Sequence, residues 1–282
     1  MSRVAVVGAG TMGNGIAHVF AQSGWETVVI DVAADALARA VKTIEKNTER
    51  QVTKGGLTAA ERRGLLSRIT TSGSLDAVKD AEIVVEAATE NPDIKFAIFR
   101  AVSRLSAPSA ILASNTSSIS ITELAKHTDR PGQVIGMHFM NPVPVMKLVE
   151  VIRGKGTSDE TVAKVVEVVK VLNKIPVEVN DAPGFVSNRV LMPMINEAIF
   201  CVQDGIATAD AVDQVMKLGM SHPLGPLALA DLIGLDVCLS IMQVLQDGLD
   251  KQKYRPAPLL EKMVAAGQLG RKSGQGFYAY RD

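Results

Sequence analysis

The segment Gly136-Met137-His138-Phe139-Met140-Asn141-Pro142-Val143-Pro144-Val145-Met146-Lys147-Leu148-Val149-Glu150 holds an imidazole and a carboxylate on either side of a proline-bounded turn. Such a pair suits proton chemistry. A carboxylate on one ring nitrogen orients the imidazole and leaves the other nitrogen free as a general base. For His138 and Glu150 to work together, the chain must bring them face to face. Val134, Ile135, Met137 and Phe139 read as a strand that ends in His138 and Phe139, and Leu148 to Ile152 reads as a second strand. Paired antiparallel about a turn centred on Pro144, these strands set His138 directly opposite Glu150, with Cα atoms about 4.5–5.5 Å apart. A histidine bonded to a turn carbonyl is the alternative reading of this segment taken alone.

A second chemical signature opens the chain. Gly8-Ala9-Gly10-Thr11-Met12-Gly13 follows an apolar run from Val4 to Val7 and precedes an apolar helical stretch from Asn14 to Gln22. Gly8 permits a tight turn, Gly10 lets a pyrophosphate approach the backbone, and Gly13 allows close helix–strand packing, so the helix N-terminus faces the phosphates. The glycines alone are also compatible with a purely structural turn. The next strand ends in Ile30-Asp31, where a carboxylate can accept both ribose hydroxyls of the adenosine half of a dinucleotide. Asp31 also repels a 2′-phosphate, and no Arg or Lys lies between Val32 and Leu37 to compensate. The expected cofactor is NAD, not NADP.

These residues need a scaffold, and the hydrophobic pattern supplies one. Strand-like runs from Val4 to Val7, Thr27 to Ile30, Ile83 to Glu86, Ala110 to Ala113, Val134 to Phe139, Leu148 to Ile152 and Pro176 to Val179 alternate with helical patterns, the signature of an α/β domain with a mostly parallel sheet. One helix, between the last two runs, has Thr157 and Glu160 at the spacing of a capping box. Another is expected from Asp35 to Lys54. After Asp181-Ala182-Pro183-Gly184 the pattern turns helical throughout, from Asn188 to Gln203, Thr208 to Leu218, Leu227 to Leu249, and Pro258 to Ala266. The predicted organisation is a Rossmann-type NAD-binding domain over residues 1–182 and an all-helical domain over residues 183–282. Met192, Met194, Met216, Met220, Met242 and Met263 stud the second part, as core, subunit interface or an adaptable binding face.

Composition narrows the function. A chain of 282 residues with 47% hydrophobic content can bury one large or two ordinary cores. Thirty basic and thirty acidic residues leave no net field to recruit nucleic acid or an anionic membrane. Cys201 and Cys238 sit in apolar helical patterns, the chain opens on a strand, and no membrane-length apolar run appears, which leads us to expect a reduced, cytoplasmic protein. Metal-ligand spacing is absent, with His18, His127, His138 and His222 scattered.

Together with the glycine turn, Asp31 and the segment from His138 to Glu150, the motifs Ser114-Asn115-Thr116-Ser117-Ser118 and Pro183-Gly184-Phe185-Val186-Ser187-Asn188-Arg189 make the chain resemble the short-chain 3-hydroxyacyl-CoA dehydrogenases over nearly its whole length. It is most similar to the single-function bacterial 3-hydroxybutyryl-CoA dehydrogenases of that family. Met140 stands where many relatives carry a second Phe. The resemblance implies that His138 is the catalytic base, that Glu150 orients it, and that Ser117 and Asn188 hydrogen-bond the substrate. It implies further that Glu90, Lys95, Asn115, Ser117 and Asn141 line the nicotinamide half of the NAD site, with Lys272 approaching it, and that the helical domain forms a homodimer. Read from the residues alone, Ser117 and Asn188 are equally candidates for helix caps, and the loop polar residues for solvated positions.

Lys42, Lys46, Arg50 and Lys54 follow at four-residue steps along the helix that starts near Asp35. The phosphates of coenzyme A want such a stripe, whereas the interleaved Glu45 and Glu49 would make it an ordinary ion-paired face. Lys54, beside Gly55-Gly56, matches the position at which the family holds those phosphates. The expected reaction is reversible oxidation of an (S)-3-hydroxyacyl-CoA to a 3-oxoacyl-CoA, with 3-hydroxybutyryl-CoA and acetoacetyl-CoA as the four-carbon pair, in fatty acid metabolism. A sugar-acid dehydrogenase of gulonate type on the same fold is one alternative. A non-catalytic NAD-binding or crystallin-like protein is another. Because Asp31 is the group placed to exclude a 2′-phosphate, Asp31→Ser should weaken NADH binding and narrow the gap to NADPH without reversing it, as read by fluorescence titration with both cofactors.

Overall fold

The computed structural model describes residues 2–280. The chain divides into two compact units, Met1–Ala182 and Pro183–Asp282.

The first unit is built on one eight-stranded sheet, with β1 (Arg3–Val7), β2 (Glu26–Ile30), β3 (Ile69–Ser72), β4 (Ile83–Glu86), β5 (Ile111–Ser114), β6 (Val134–Phe139), β7 (Leu148–Arg153) and β8 (Ile175–Asn180). Their order is β3-β2-β1-β4-β5-β6-β7-β8, and the pairs are parallel except β6 with β7. Central strands such as β4 and β6 are buried along their whole length, which explains their continuous apolar runs. β8 is the edge, with Pro176 and Val179 half-buried and its other residues exposed, and Pro176 is tolerated there. The sequence reading missed β3. It is four residues long, at the opposite edge, with Ile69 its only apolar residue, so it carries no period-2 signal.

Helices α1 (Thr11–Gln22), α2 (Ala34–Thr53), α3 (Ala59–Ser67), α4 (Pro92–Leu105), α5 (Ile121–Ala125) and α6 (Asp159–Val171) complete this unit. Side chains of Thr58, Asn91, Ser120 and Ser158 cap α3, α4, α5 and α6. The cap of α6 corrects the expected Thr157–Glu160 box by one residue. Ser158 Oγ accepts from Thr161 N, while Thr157 Oγ1 donates to the Val134 carbonyl and ties the loop to β6.

The second unit contains α7 (Ser187–Gln203), α8 (Ala209–Gly219), α9 (Pro226–Ile233), α10 (Leu235–Gly248) and α11 (Pro258–Ala265) around a core that includes Met192, Ile195, Ile199, Leu227, Leu235, Met242, Leu245 and Leu260. The single helix expected from Leu227 to Leu249 is in fact α9 and α10, bent by 98° at Gly234. Gly234 has φ 105°, a conformation that a glycine adopts without strain and that no helix interior contains. Of the methionines, Met192, Met242 and Met263 are core, whereas Met220 is exposed. Cys238 is buried, and desolvation pushes its thiol up to about 12, so it behaves as a small apolar side chain. Two buried carboxylates fix the C-terminal turn. Asp231 accepts from the Phe277 and Tyr278 amides and the Tyr280 hydroxyl, and Asp213 from the Leu227 and Ala228 amides and the Tyr278 hydroxyl.

Candidate active site

In an open parallel sheet the loops that leave the carboxyl ends of the strands gather at one edge, where ligands bind. Here the loop after β1 is the glycine turn. Gly8 has φ +107°, and a Cβ there would sit 2.5 Å from the Ala87 carbonyl oxygen. At Gly13 a Cβ would fall 1.8 Å from the Gly8 carbonyl oxygen, so only glycine lets α1 approach β1 this closely. Gly10 faces open space, with nothing within 4 Å of a Cβ placed there. No side chain caps α1, and its first turn, including Thr11 and Met12, contains no acid. Four other helices of this unit are capped by side chains, so the uncapped amides of α1 suit a phosphate. Asp31, at the end of β2, accepts from Ala9 N at 2.8 Å and Ala33 N at 2.9 Å, one donor to each oxygen. Each oxygen keeps a lone pair for a ribose hydroxyl. The turn and the acid thus fit the adenosine and pyrophosphate parts of NAD.

β6 and β7 pair antiparallel with His138 opposite Glu150, the register expected from the turn centred on Pro144. His138 Nδ1 lies 2.8 Å from Glu150 Oε2, and both residues are buried. A carboxylate accepts only, so Nδ1 carries the proton in the neutral ring and Nε2 bears the lone pair. Nε2 lies 2.9 Å from Ser117 Oγ. Ser117 is therefore not a helix cap, a role that Ser120 fills for α5. Glu90 shapes the turn that carries Ser117: its carboxylate accepts from Ser117 N at 2.9 Å, Thr116 Oγ1 at 2.6 Å and Ser118 Oγ at 3.1 Å. Asn115 Oδ1 accepts from Phe139 N at 2.9 Å and so joins this turn to the strand that bears His138.

Other residues singled out in the sequence lie as follows. Asn141 is exposed just beyond β6. Lys95, expected beside the nicotinamide, is only 2% exposed, and its ammonium is bound to both oxygens of Glu86 at 2.6 and 2.8 Å. Burial of the Lys95 ammonium demands a counterion, and Glu86 supplies it. Asn188 is a buried residue in the first turn of α7, whose N-cap is Val186, so it is not a cap. Lys272 stands in a short turn of the second unit and pairs with Asp236 at 2.5 Å. Lys42, Lys46, Arg50 and Lys54 are exposed, and Lys54 ends α2 as its C-cap. Among the described residues none of these four closes an ion pair with the interleaved Glu45 or Glu49. Sequence reasoning placed Glu86, Ser114 and Thr116 in a strand and a motif but gave them no role in the site. The available signal was an acid closing the wholly apolar run Ile83-Val84-Val85, since a carboxylate is seldom buried without a partner.

A parallel sheet with an open glycine turn, an acid after the second strand and an oriented imidazole at the same edge defines a nicotinamide-dependent dehydrogenase. The chain matches the 3-hydroxyacyl-CoA dehydrogenase NAD binding domain over residues 3–182 and the 3-hydroxyacyl-CoA dehydrogenase C-terminal domain over residues 184–280. It belongs to the 3-hydroxyacyl-CoA dehydrogenase family and is an NAD-dependent enzyme. It is 54% identical, over all of its length and 98% of the relative's, to a probable 3-hydroxybutyryl-CoA dehydrogenase of Bacillus subtilis. It is 52% identical to a 3-hydroxybutyryl-CoA dehydrogenase of Bradyrhizobium diazoefficiens, over 100% of this chain and 96% of that one. Among solved structures, (S)-3-hydroxybutyryl-CoA dehydrogenase from Ralstonia eutropha superposes with a TM-score of 0.97 at 50% identity, covering all of both chains.

Removing the imidazole tests the site directly. His138→Gln should lower turnover by about 10²–10⁴-fold with NADH affinity nearly unchanged, measured by steady-state rates and cofactor titration; near-normal turnover would remove His138 from the chemistry.

Proposed function

We propose that this protein oxidises (S)-3-hydroxybutyryl-CoA to acetoacetyl-CoA, reversibly, with His138 as the catalytic base. The observation that carries the reading is the chain of contacts Glu150–His138–Ser117, with separations of 2.8 and 2.9 Å. Glu150 holds the Nδ1–H tautomer, so Nε2 takes the proton of the substrate 3-hydroxyl as the C3–H bond breaks and the carbonyl forms. Bound NAD supplies the hydride acceptor at the nicotinamide ring. Glu150 then stabilises the imidazolium, and in the reverse direction Nε2–H returns the proton to the ketone. Ser117 Oγ, beside Nε2, and Asn188 are the proposed partners of the substrate oxygens. Asp31 and the Gly8–Gly13 turn hold the adenosine and pyrophosphate of NAD, with Glu90, Lys95, Asn115, Asn141 and Lys272 assigned to its nicotinamide half. The four-carbon assignment is supported by the names of the relatives at 50–54% identity.

Coenzyme A is the substrate handle that the basic stripe suits. The decisive assay follows NADH consumption with acetoacetyl-CoA, longer 3-oxoacyl-CoAs and, separately, NAD reduction with gulonate. Turnover confined to gulonate would replace the reading with a sugar-acid dehydrogenase, and none with any substrate would favour a non-catalytic NAD-binding protein. Lys54→Ala should raise KM for acetoacetyl-CoA by up to about fivefold, spare kcat, and weaken in effect as salt rises. A truncated thioester without nucleotide phosphates should not feel the change. Equal impairment of both substrates would place coenzyme A elsewhere.

We propose also that the protein is a homodimer through its helical unit. Val215 and Leu218 on α8, with Ile206 and Met220 at its flanks, are exposed apolar side chains, Leu218 at 81%. Such a concentration of apolar surface is costly in water and suits a subunit interface. Val215→Glu combined with Leu218→Glu should shift sedimentation from dimer to monomer, and an unchanged dimer would exclude this face.

A further inference from the structure

Glu86 is the last residue of β4, between the glycine turn and the Ser117 turn, and is 1% exposed. Its Oε1 accepts from Lys95 Nζ at 2.8 Å and from Ala88 N at 2.8 Å, and its Oε2 accepts from Lys95 Nζ at 2.6 Å and Ser114 Oγ at 2.8 Å. Its backbone carbonyl accepts from Asn115 N at 2.8 Å. Ser114 sends its hydroxyl proton to Glu86, which leaves its oxygen free to accept from Thr116 N at 3.2 Å. Thr116 Oγ1 in turn accepts from the Ser118 and Ile119 amides at 3.2 and 3.0 Å. The turn from Ser114 to Ile119 is therefore held on one side by Glu90 and on the other by Glu86 through Ser114. Ser117 Oγ, at the middle of that turn, lies 2.9 Å from His138 Nε2.

From this arrangement we infer that Glu86 is a positioning residue for the Ser117–His138 pair, acting through Ser114 and the Thr116 amide. It touches neither substrate nor the reacting atoms. The inference rests on the dehydrogenase reading for its kinetic consequence but not for its geometry. The charge chemistry explains why an acid is needed. A neutral side chain at this position could accept from the Ala88 amide or from the Ser114 hydroxyl, but a carboxylate accepts from both and from a lysine at once. Lys95 is the counterion that allows the carboxylate to remain charged away from water. The burial of Lys95 follows from that task. A misplacement of Ser117 of even 1 Å is large against a 2.9 Å contact, and errors of that size cost up to about 10²-fold in rate.

The test is a double-mutant cycle between Glu86→Gln and Ser117→Ala, with kcat for acetoacetyl-CoA reduction, KM for both substrates and the ¹⁵N ring signals of His138 as readouts. Glu86→Gln should lower kcat roughly tenfold with KM values changed less than about threefold. Adding Ser117→Ala should cost much less than it does in the wild type, because the two changes remove one shared interaction. Glu86→Gln leaves the Lys95 ammonium buried without its counterion and can unfold the protein for that reason alone. Ser114→Ala keeps the Glu86–Lys95 pair and cuts only the link to Thr116, so the same cycle is run with it. Independent, multiplicative effects of Ser114→Ala and Ser117→Ala on kcat would overturn the inference. The ring signals decide the matter without turnover: Ser114→Ala should move the His138 Nε2 resonance in the direction that Ser117→Ala moves it, and an unmoved resonance refutes the positioning role. A wild-type protein inactive on every acyl-CoA, with the His138 resonance still coupled to Ser114, would sink the substrate reading and leave the positioning role standing.

Discussion

One antiparallel pairing in an otherwise parallel sheet decides where the imidazole of His138 meets its carboxylate. β6 and β7 are joined by a proline-bounded turn, and their register is set so that His138 meets Glu150 across the strands. Because side chains alternate at a period of two, a slip of one residue would turn one partner to the opposite face and separate imidazole from carboxylate. The register is held by the core. Met137, Phe139, Val149 and Val151, the neighbours of the pair on both strands, are buried to within 1%, so a slip would drive apolar groups into polar surroundings. The reversal also returns β7 and β8 to the edge of the sheet, where Lys174 donates to the carbonyls of Val143 and Met146 and fixes the turn itself.

Around that pair, the polar groups are few and heavily shared. Glu86 and Glu90 between them accept from donors on the Ala87–Ala88 loop, α4 and the Ser114–Ser118 turn. Removing one member of a buried ion pair such as Lys95 with Glu86 leaves an uncompensated charge and costs about 3–5 kcal/mol, so these side chains tolerate little change. Such sharing pre-organises the turn before any ligand arrives. An imidazole and a hydroxyl set in advance spare any reaction at this edge the reorganisation that mobile groups would need.

The helical unit uses the same device for a different end. Asp231 and Asp213, each at most 4% exposed, gather backbone amides and tyrosine hydroxyls from the turn at residues 276–280 and from the start of α9. A buried carboxylate that accepts several neutral donors acts as a local staple, tying the segments that carry those donors to one point. Gly270 and Gly276 are required beside Asp231, because a Cβ at either would lie within 2.3 Å of its atoms.

Much of this was legible in the sequence because it depends on short-range pattern. Continuous apolar runs marked the buried strands, the glycine spacing marked the nucleotide turn, and the equal distances of His138 and Glu150 from Pro144 determined their opposition once a hairpin was assumed. Where local signals were weak or ambiguous, reading failed. β3 has one apolar residue, the α6 cap lay between two adjacent hydroxyl residues, and Gly234 is an ordinary helix glycine until its φ is known. Side-chain roles were harder still. The sequence by itself marked the residue types suited to acid, base and phosphate chemistry and the elements on which they stand. Only the tertiary structure decided that Lys95 points inward to Glu86, that Ser114 relays to Thr116, and that Ser117 faces His138. Apart from the short step from Ser114 to Thr116, those contacts join residues 9 to 28 positions apart, and such partners are chosen by how strands order themselves in the sheet and which groups remain once water is excluded, not by anything their sequence neighbours can signal.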